Sequence, residues 1–202
     1  LPTRAGSPLC GHEPAVADAP LVAALRRAGA VILGKTVTVE FACYDPPPTH
    51  NPWNLAHTPG GSSSGSAAAL AMGMCLGALG TQTGGSLVRP AAYCGVATCK
   101  PTFGKLSMEG IVPVSTSLDH PGPMARKVVD VALLLNALLG MTTQEPLRPL
   151  GSPRFGVLQR LTLEDADAAV REATQSALER LTHAGAELQP LVVPRMFADA
   201  LT

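Results

Sequence analysis

Two glycine-flanked serine clusters constrain this chain more than any other feature. They are Gly60-Gly61-Ser62-Ser63-Ser64-Gly65-Ser66 and Thr83-Gly84-Gly85-Ser86, with Ser62 and Ser86 24 residues apart. Glycine gives up more chain entropy on folding than any other residue, so a cluster of it implies a geometric requirement. The geometry read here is backbone N–H groups brought close to a serine hydroxyl, which is what a serine nucleophile with an oxyanion hole needs. A flexible linker is the alternative. Its flanks argue against it, because the first cluster runs into an alanine-rich apolar stretch and Ser86 follows a strand-like run.

Hydrophobic residues make up 46% of the 202 positions and charged residues 15%, which is ample for a packed core and excludes a disordered chain. Aromatic residues are only 3%, so the core must come from Ala, Leu and Val, side chains small enough for helices to pack closely on a sheet. Lys plus Arg equals Asp plus Glu at 15 each, and no basic patch stands out, so nucleic-acid binding through phosphate neutralisation has no support. The odd set Cys10, Cys43, Cys75, Cys94 and Cys99 lacks a disulfide framework and reads as reduced thiols of a cytoplasmic protein. No signal peptide and no run of membrane-spanning length is present in the sequence. A start at Leu1 without methionine and a stop just after a helix-and-strand pattern predict a piece of a longer protein.

Hydrophobic periodicity predicts alternating helices and strands, hence an α/β layer fold. Asp18 is the expected cap of a helix with Pro20 in its first turn, Leu21, Val22 and Leu25 on one face, and Gly29 at its end. Ala30–Leu33 then reads as a buried strand, and residues 44–61 as a long ordered loop. A buried helix is expected over Ser66–Leu76, strands over Leu76–Gly80 and Val96–Cys99, and an amphipathic helix over Val128–Leu139 stopped by Gly140. Further on, Arg154–Leu158 reads as a strand and Thr162–Asp165 as a capping box. A helix with the inner stripe Val170, Ala173, Ala177, Leu181, Ala184 follows, closed by Gly185, and Leu188–Val193 completes a strand–helix–strand unit.

Gly29-Ala30-Val31-Ile32-Leu33-Gly34-Lys35-Thr36 matches the P-loop pattern by letter. It is rejected, because its four middle residues are strand formers and the β-branched Val37-Thr38-Val39 that follows is a poor helix start. His12, His50, His57, His120 and His183 show no metal-ligand spacing and read as ordinary core or surface residues.

Taken with their neighbours, the serine clusters resemble the amidase signature family. The resemblance runs through Gly60–Ala69, Gly80–Ser86, Arg89–Val96, Lys100–Gly104 and Ser117–Arg126, with Asn51-Pro52-Trp53-Asn54 ahead of them, in unbroken order over roughly residues 1 to 160. It implies a mixed β-sheet core covered by helices on both faces, of which residues 1–202 would be the central part of a single domain truncated at both ends. It also implies a Ser–Ser–Lys triad. Ser86 resembles the nucleophile. Ser62 resembles the bridging serine that relays the proton, joined to Gly61 by a cis peptide bond. The backbone N–H groups of Thr83, Gly84, Gly85 and Ser86 resemble the oxyanion hole. Gly61 and Ser63 support the site, with Ser63 orienting the loop, while Ser66 serves the helix start. Arg89 has two open roles, a core ion pair or a contact to a substrate carboxylate, and Asp119 and Arg126 read as structural.

The family's lysine lies in a Lys-Asp pair upstream of a segment like Leu1–Ser7, so the base is expected to be missing from this chain. Lys35 matches a structural position, and Lys100, Lys105 and Lys127 fall in other motifs. The expected function is therefore amidase chemistry on a small-molecule amide, with no metal or organic cofactor, and with little activity in the piece itself. Two alternatives stand beside it. One is the glutamine-hydrolysing subunit of a tRNA-dependent amidotransferase, disfavoured by Thr81-Gln82-Thr83 where those subunits commonly carry Ser-Asp-Thr. The other is a non-catalytic truncated product. Apolar surface left by truncation leaves homo-oligomers open.

Overall fold

The computed structural model describes residues 1–43, 46–141, 151–158 and 166–192. The chain is mixed α/β and forms two compact units, Leu1–Glu145 and Pro146–Thr202. The first holds α1 (Pro20–Arg27), α2 (Ser64–Ala71), β1 (Gly77–Gln82), α3 (Val88–Cys94), β2 (Ala97–Thr98), β3 (His120–Ala125) and α4 (Val128–Leu138); the second holds β4 (Arg154–Leu158), α5 (Ala168–His183) and β5 (Glu187–Leu191). Among the described residues, no helix is long and apolar enough to cross a membrane.

In the first unit β1, β3 and β2 form an antiparallel sheet in that order, with Gly77 opposite Ala125 and Gln82 opposite His120. The central strand, His-Pro-Gly-Pro-Met-Ala, is buried at every residue and was not expected from the sequence. Prolines normally argue against an inner strand, because each removes a ladder donor. Here Pro121 and Pro123 are two apart, so both missing donors face the same side. The Pro123 carbonyl accepts from Cys99 N–H on the β2 side, and β2 is only two residues long. The ladder to β1 therefore keeps its donors. Gly122 allows the close approach of the 99 segment, since a Cβ there would meet the Cys99 carbonyl oxygen at 2.1 Å.

The main core joins α2, α3 and β3 through Ala67, Leu70, Leu87, Ala91, Cys94 and Met124, and a second cluster joins Leu21, Leu25, Leu106 and Leu138. Small and aliphatic side chains carry it, as the lack of aromatics required. Helix α2 starts at Ser64, earlier than the expected Ser66, and ends at Ala71. The strands expected at Leu76–Gly80 and Val96–Cys99 are present as β1 and β2 with shifted ends. Cys10, Cys43, Cys75, Cys94 and Cys99 are all free thiols.

Two expectations for the first unit need correction. Ala19, not Asp18, occupies the N-cap of α1; Asp18 instead pairs with Arg26 at 2.7 Å across two turns. Ala30–Leu33 forms no strand, and Val31 and Leu33 are exposed. Its first residue is used by the helix end, where Gly29 N–H bonds to Arg26 and Ala30 N–H to Leu25, a Schellman closure. Ile32 alone of the run packs on the second cluster. The rejection of a P-loop stands, because residues 36–39 after Lys35 are not helical and, among the described residues, only a single 3-10 turn, Glu40–Ala42, comes before the serine loop.

The second unit is the expected strand–helix–strand, with β4 and β5 parallel and Arg154 opposite Glu187. Asp167 caps α5 by accepting from Val170 N–H at 3.0 Å. The anticipated capping box over 162–165 lies outside the described residues. The anticipated inner stripe of α5 is exposed; the half-buried positions are Thr174 and Leu178, the four-residue spacing of one helical face.

Candidate active site

Ser62 and Ser86 are both buried, at 2% and 6% exposure. Ser62 lies at the entry to α2, and Ser86 in the turn between β1 and α3. Their loops touch directly: Ser63 N–H donates to the Ser86 carbonyl at 3.2 Å. The two hydroxyls do not hydrogen-bond one another, and among the described residues neither makes a side-chain hydrogen bond. Both are free for another partner, and catalytic hydrogen bonds are often loose in the absence of substrate.

An extended strap, residues 36–39, holds the Ser62 loop. The Ser62 carbonyl accepts from Val39 N–H at 3.1 Å and from Thr38 Oγ1 at 2.8 Å, and Gly65 N–H donates to the Val37 carbonyl at 2.9 Å. The peptide bond between Gly61 and Ser62 is cis, as the resemblance implied. Ser63 Oγ accepts from Thr81 N–H at 3.1 Å and donates to the Thr81 carbonyl at 3.3 Å, so it pins the loop to β1 as expected. Ser66 Oγ meets the Leu79 carbonyl and Thr36 Oγ1, both at 2.8 Å; it does not cap the helix start, as was expected of it, but ties α2 to β1 and to the strap. The loop preceding the first cluster is anchored by Asn51, which donates to the Tyr93 and Thr58 carbonyls at 3.0 and 3.3 Å, and by Trp53, whose Nε1 donates to the Cys94 carbonyl at 2.8 Å.

The Ser86 turn leaves a row of donors unused. Among the described residues, the N–H groups of Thr83, Gly84, Gly85 and Ser86 have no hydrogen-bond partner, while those of Leu87 and Val88 both donate to Gln82 Oε1 at 3.0 Å. Gly84 is exposed, and a Cβ built there would meet nothing within 4 Å. Neither crowding nor a left-handed backbone explains a glycine at that point.

Thr83 is held from its side chain, Oγ1 donating in a short bond to Asp119 Oδ1. Asp119 Oδ2 accepts from Val114 and Ser115 N–H at 2.6 and 2.9 Å. Burial pushes the Asp119 carboxyl up, but the bonds from Thr83, Ser115 and Val114 outweigh it and hold the group below its ordinary value of 3.8. Asp119, read as structural from the sequence, thus acts on a residue of the site loop. Thr38 and Val39 were given no part in the site by sequence reasoning, and Gln82 entered it only within Thr81-Gln82-Thr83, as a mark against the amidotransferase reading. A polar residue closing a small-residue strand immediately before the glycine turn was the signal for its structural part.

Arg89 forms no ion pair among the described residues; its Nε donates to the Gly61 carbonyl at 3.1 Å. Arg126 is structural, as read, donating to the Leu70 and Cys75 carbonyls at the end of α2. Lys35 Nζ bonds to the Pro2 carbonyl and Thr3 Oγ1, both at 2.8 Å. Among the described residues, no lysine hydrogen-bonds to Ser62 or Ser86. His120 is a satisfied core histidine, its Nδ1 against the Pro121 carbonyl at 2.7 Å.

Comparison with known proteins agrees with this layout. The family model described as Amidase matches residues 1–198, and the chain belongs to that family. It is 42% identical to a glutamyl-tRNA(Gln) amidotransferase subunit from Anaeromyxobacter sp. (strain K), over 96% of this chain and 44% of that protein. Among solved structures it resembles peptide amidase from Stenotrophomonas maltophilia, with a TM-score of 0.84 and 38% identity over 100% of this chain and 47% of that one. It also resembles the corresponding glutamyl-tRNA(Gln) amidotransferase subunit from Thermotoga maritima, with a TM-score of 0.83 and 33% identity over 96% of this chain and 47% of that one. The chain spans less than half the length of these relatives.

Proposed function

We propose that this chain carries the two serine loops of an amide hydrolase that works through an acyl-enzyme on Ser86. The observation that carries the reading is the row of unpartnered N–H groups from Thr83 to Ser86 in a loop with exposed Gly84, with the Ser62 loop tied to the same turn. Ser86 Oγ attacks the amide carbonyl carbon, and its proton passes to Ser62 Oγ as Ser62 gives its own proton to a base. The developing oxyanion takes hydrogen bonds from the loop N–H groups; one such donor is typically worth roughly 3 kcal/mol. The C–N bond then breaks, the amine or ammonia leaves with a proton returned through Ser62, and water hydrolyses the ester at Ser86. The base is the lysine of a Lys-Asp pair in the full-length protein, so residues 1–202 alone would be a poor hydrolase.

The substrate is a small-molecule amide. A second reading, the glutamine-hydrolysing subunit of an amidotransferase, is favoured by the 42% identity to one component of such an enzyme. Both readings use Ser86, and they separate on whether the full-length protein co-purifies with companion subunits. The experiment for the shared chemistry is labelling of the full-length protein with a fluorophosphonate. Labelling is expected in the parent and absent in Ser86→Ala; equal labelling of both would defeat the proposal.

A further inference from the structure

The Gln82 side chain is buried at 8% exposure, and it grips the Ser86 turn at both ends. Ahead of Ser86, Nε2 donates to the Gly84 carbonyl at 3.1 Å; behind it, Oε1 accepts from the N–H groups of Leu87 and Val88, both at 3.0 Å. All three bonds bracket the nucleophile without touching it.

The consequence follows from peptide geometry. The bond between Gly84 and Gly85 is trans. In a trans peptide the C=O and the following N–H point in opposite directions. With the Gly84 carbonyl turned towards the buried Gln82 amide, the Gly85 N–H is turned away from it. The two donors at the helix entry are consumed by Oε1, so they cannot compete for a ligand, and the donors left free are those of residues 83–86. A simple helix cap would need only the Oε1 half of this arrangement.

We propose that Gln82 is the positioning residue of the Ser86 turn. Its amide fixes the orientation of the Gly84–Gly85 peptide and of the α3 entry, and so aims the Gly85 N–H at the oxygen of the bound carbonyl. This rests on the assignment of Ser86 as nucleophile. Gln82 touches no substrate; it acts through the backbone it holds. Its loss therefore lowers the rate of the covalent step beyond what the lost hydrogen bonds take from stability.

The test uses the full-length protein and a fluorophosphonate, whose phosphoryl oxygen needs the same donors and which requires no knowledge of the substrate. Four proteins are compared: parent, Gln82→Met, Gln82→Glu and Ser86→Ala. Methionine keeps the side-chain length and removes all three bonds; glutamate keeps the acceptor for Leu87 and Val88 and removes the donor to Gly84. The labelling rate of Gln82→Met is expected to fall about 10- to 100-fold, with Gln82→Glu between it and the parent and both melting within about 3 °C of the parent. Labelling by Gln82→Met within about threefold of the parent overturns the proposal. So does a loss of rate that merely tracks a large fall in melting temperature and is not partly restored by glutamate. If instead Ser86→Ala labels like the parent, the nucleophile assignment itself fails, which is distinct from intact Ser86 chemistry with indifferent Gln82 variants.

Discussion

Gly65→Ala and Gly84→Ala separate two uses of glycine in this chain, and their effects can be worked from the structure. A Cβ at Gly65 would sit 2.6 Å from both Val37 N and Val37 O, and 3.0 Å from Thr36 Cβ. Two of these are backbone atoms, which cannot rotate aside, and ordinary carbon contacts need about 3.5–4.0 Å. The strap must therefore withdraw by about 1 Å. That breaks the 2.9 Å bond from Gly65 N–H to the Val37 carbonyl, costing about 1 kcal/mol. Overpacking adds about 1–3 kcal/mol, and better helix propensity returns up to about 1 kcal/mol. The net expectation is a destabilisation of about 1–4 kcal/mol. At Gly84 the added carbon meets nothing within 4 Å, and φ lies outside the left-handed region. There the substitution leaves stability unchanged or raises it by about 0.4–1 kcal/mol, through the unfolded chain. Its methyl group is added to an exposed point of the loop that carries the donors, and fluorophosphonate labelling is expected to fall. Urea unfolding and labelling of both variants in the full-length protein make the comparison. Equal unfolding midpoints, or a larger loss of stability in Gly84→Ala, would refute the reasoning.

Asp119 gives a pH prediction. Its folded-state pKa lies below 3.8, so its contribution is fully present above the unfolded value and is lost as pH falls through the lowered one. The stability gap between the parent and Asp119→Asn should stay constant from about pH 7 to about pH 5 and shrink only in more acid solution; a gap already closing near pH 6 would contradict this. Asn51→Ala removes two hydrogen bonds made by a buried amide and should cost about 1–3 kcal/mol, whereas Trp53→Phe loses only the Nε1 bond of an exposed ring and should cost about 0.5–1.5 kcal/mol; chemical unfolding that reversed this order would count against the loop anchor. Iodoacetamide should alkylate exposed Cys43 in the native protein and spare Cys94, which is fully buried and whose thiol is pushed up by burial; mass spectrometry showing equal rates would refute it.

The serine loops were legible because glycine and serine at fixed spacing encode a local backbone requirement. The α2 helix and the β4–α5–β5 unit were legible because periodicity and turn residues are local signals. The failures have a common cause. Ala30–Leu33 has strand formers, but a strand exists only where a partner offers its ladder, and Ala30 had already been taken by the end of α1. β3 has two prolines that local rules count against it, yet the sheet places both missing donors on the side where pairing is short. The stripe on α5 was a matter of which face found cover, which no single helix decides.

The amino-acid order alone determined which chemistry-bearing residues exist and that their loops need close backbone approach, since those demands lie within a few neighbouring residues. Only the tertiary structure decided what braces them. Gln82 reaches forward across its own turn, Asp119 reaches Thr83 from a distant segment, and the 36–39 strap supports Ser62. The Asp119 and strap bonds join parts of the chain that only folding brings together, so spacing along the sequence carries no record of them; the Gln82 bonds are local, but which way its amide turns was decided by the buried fold around it.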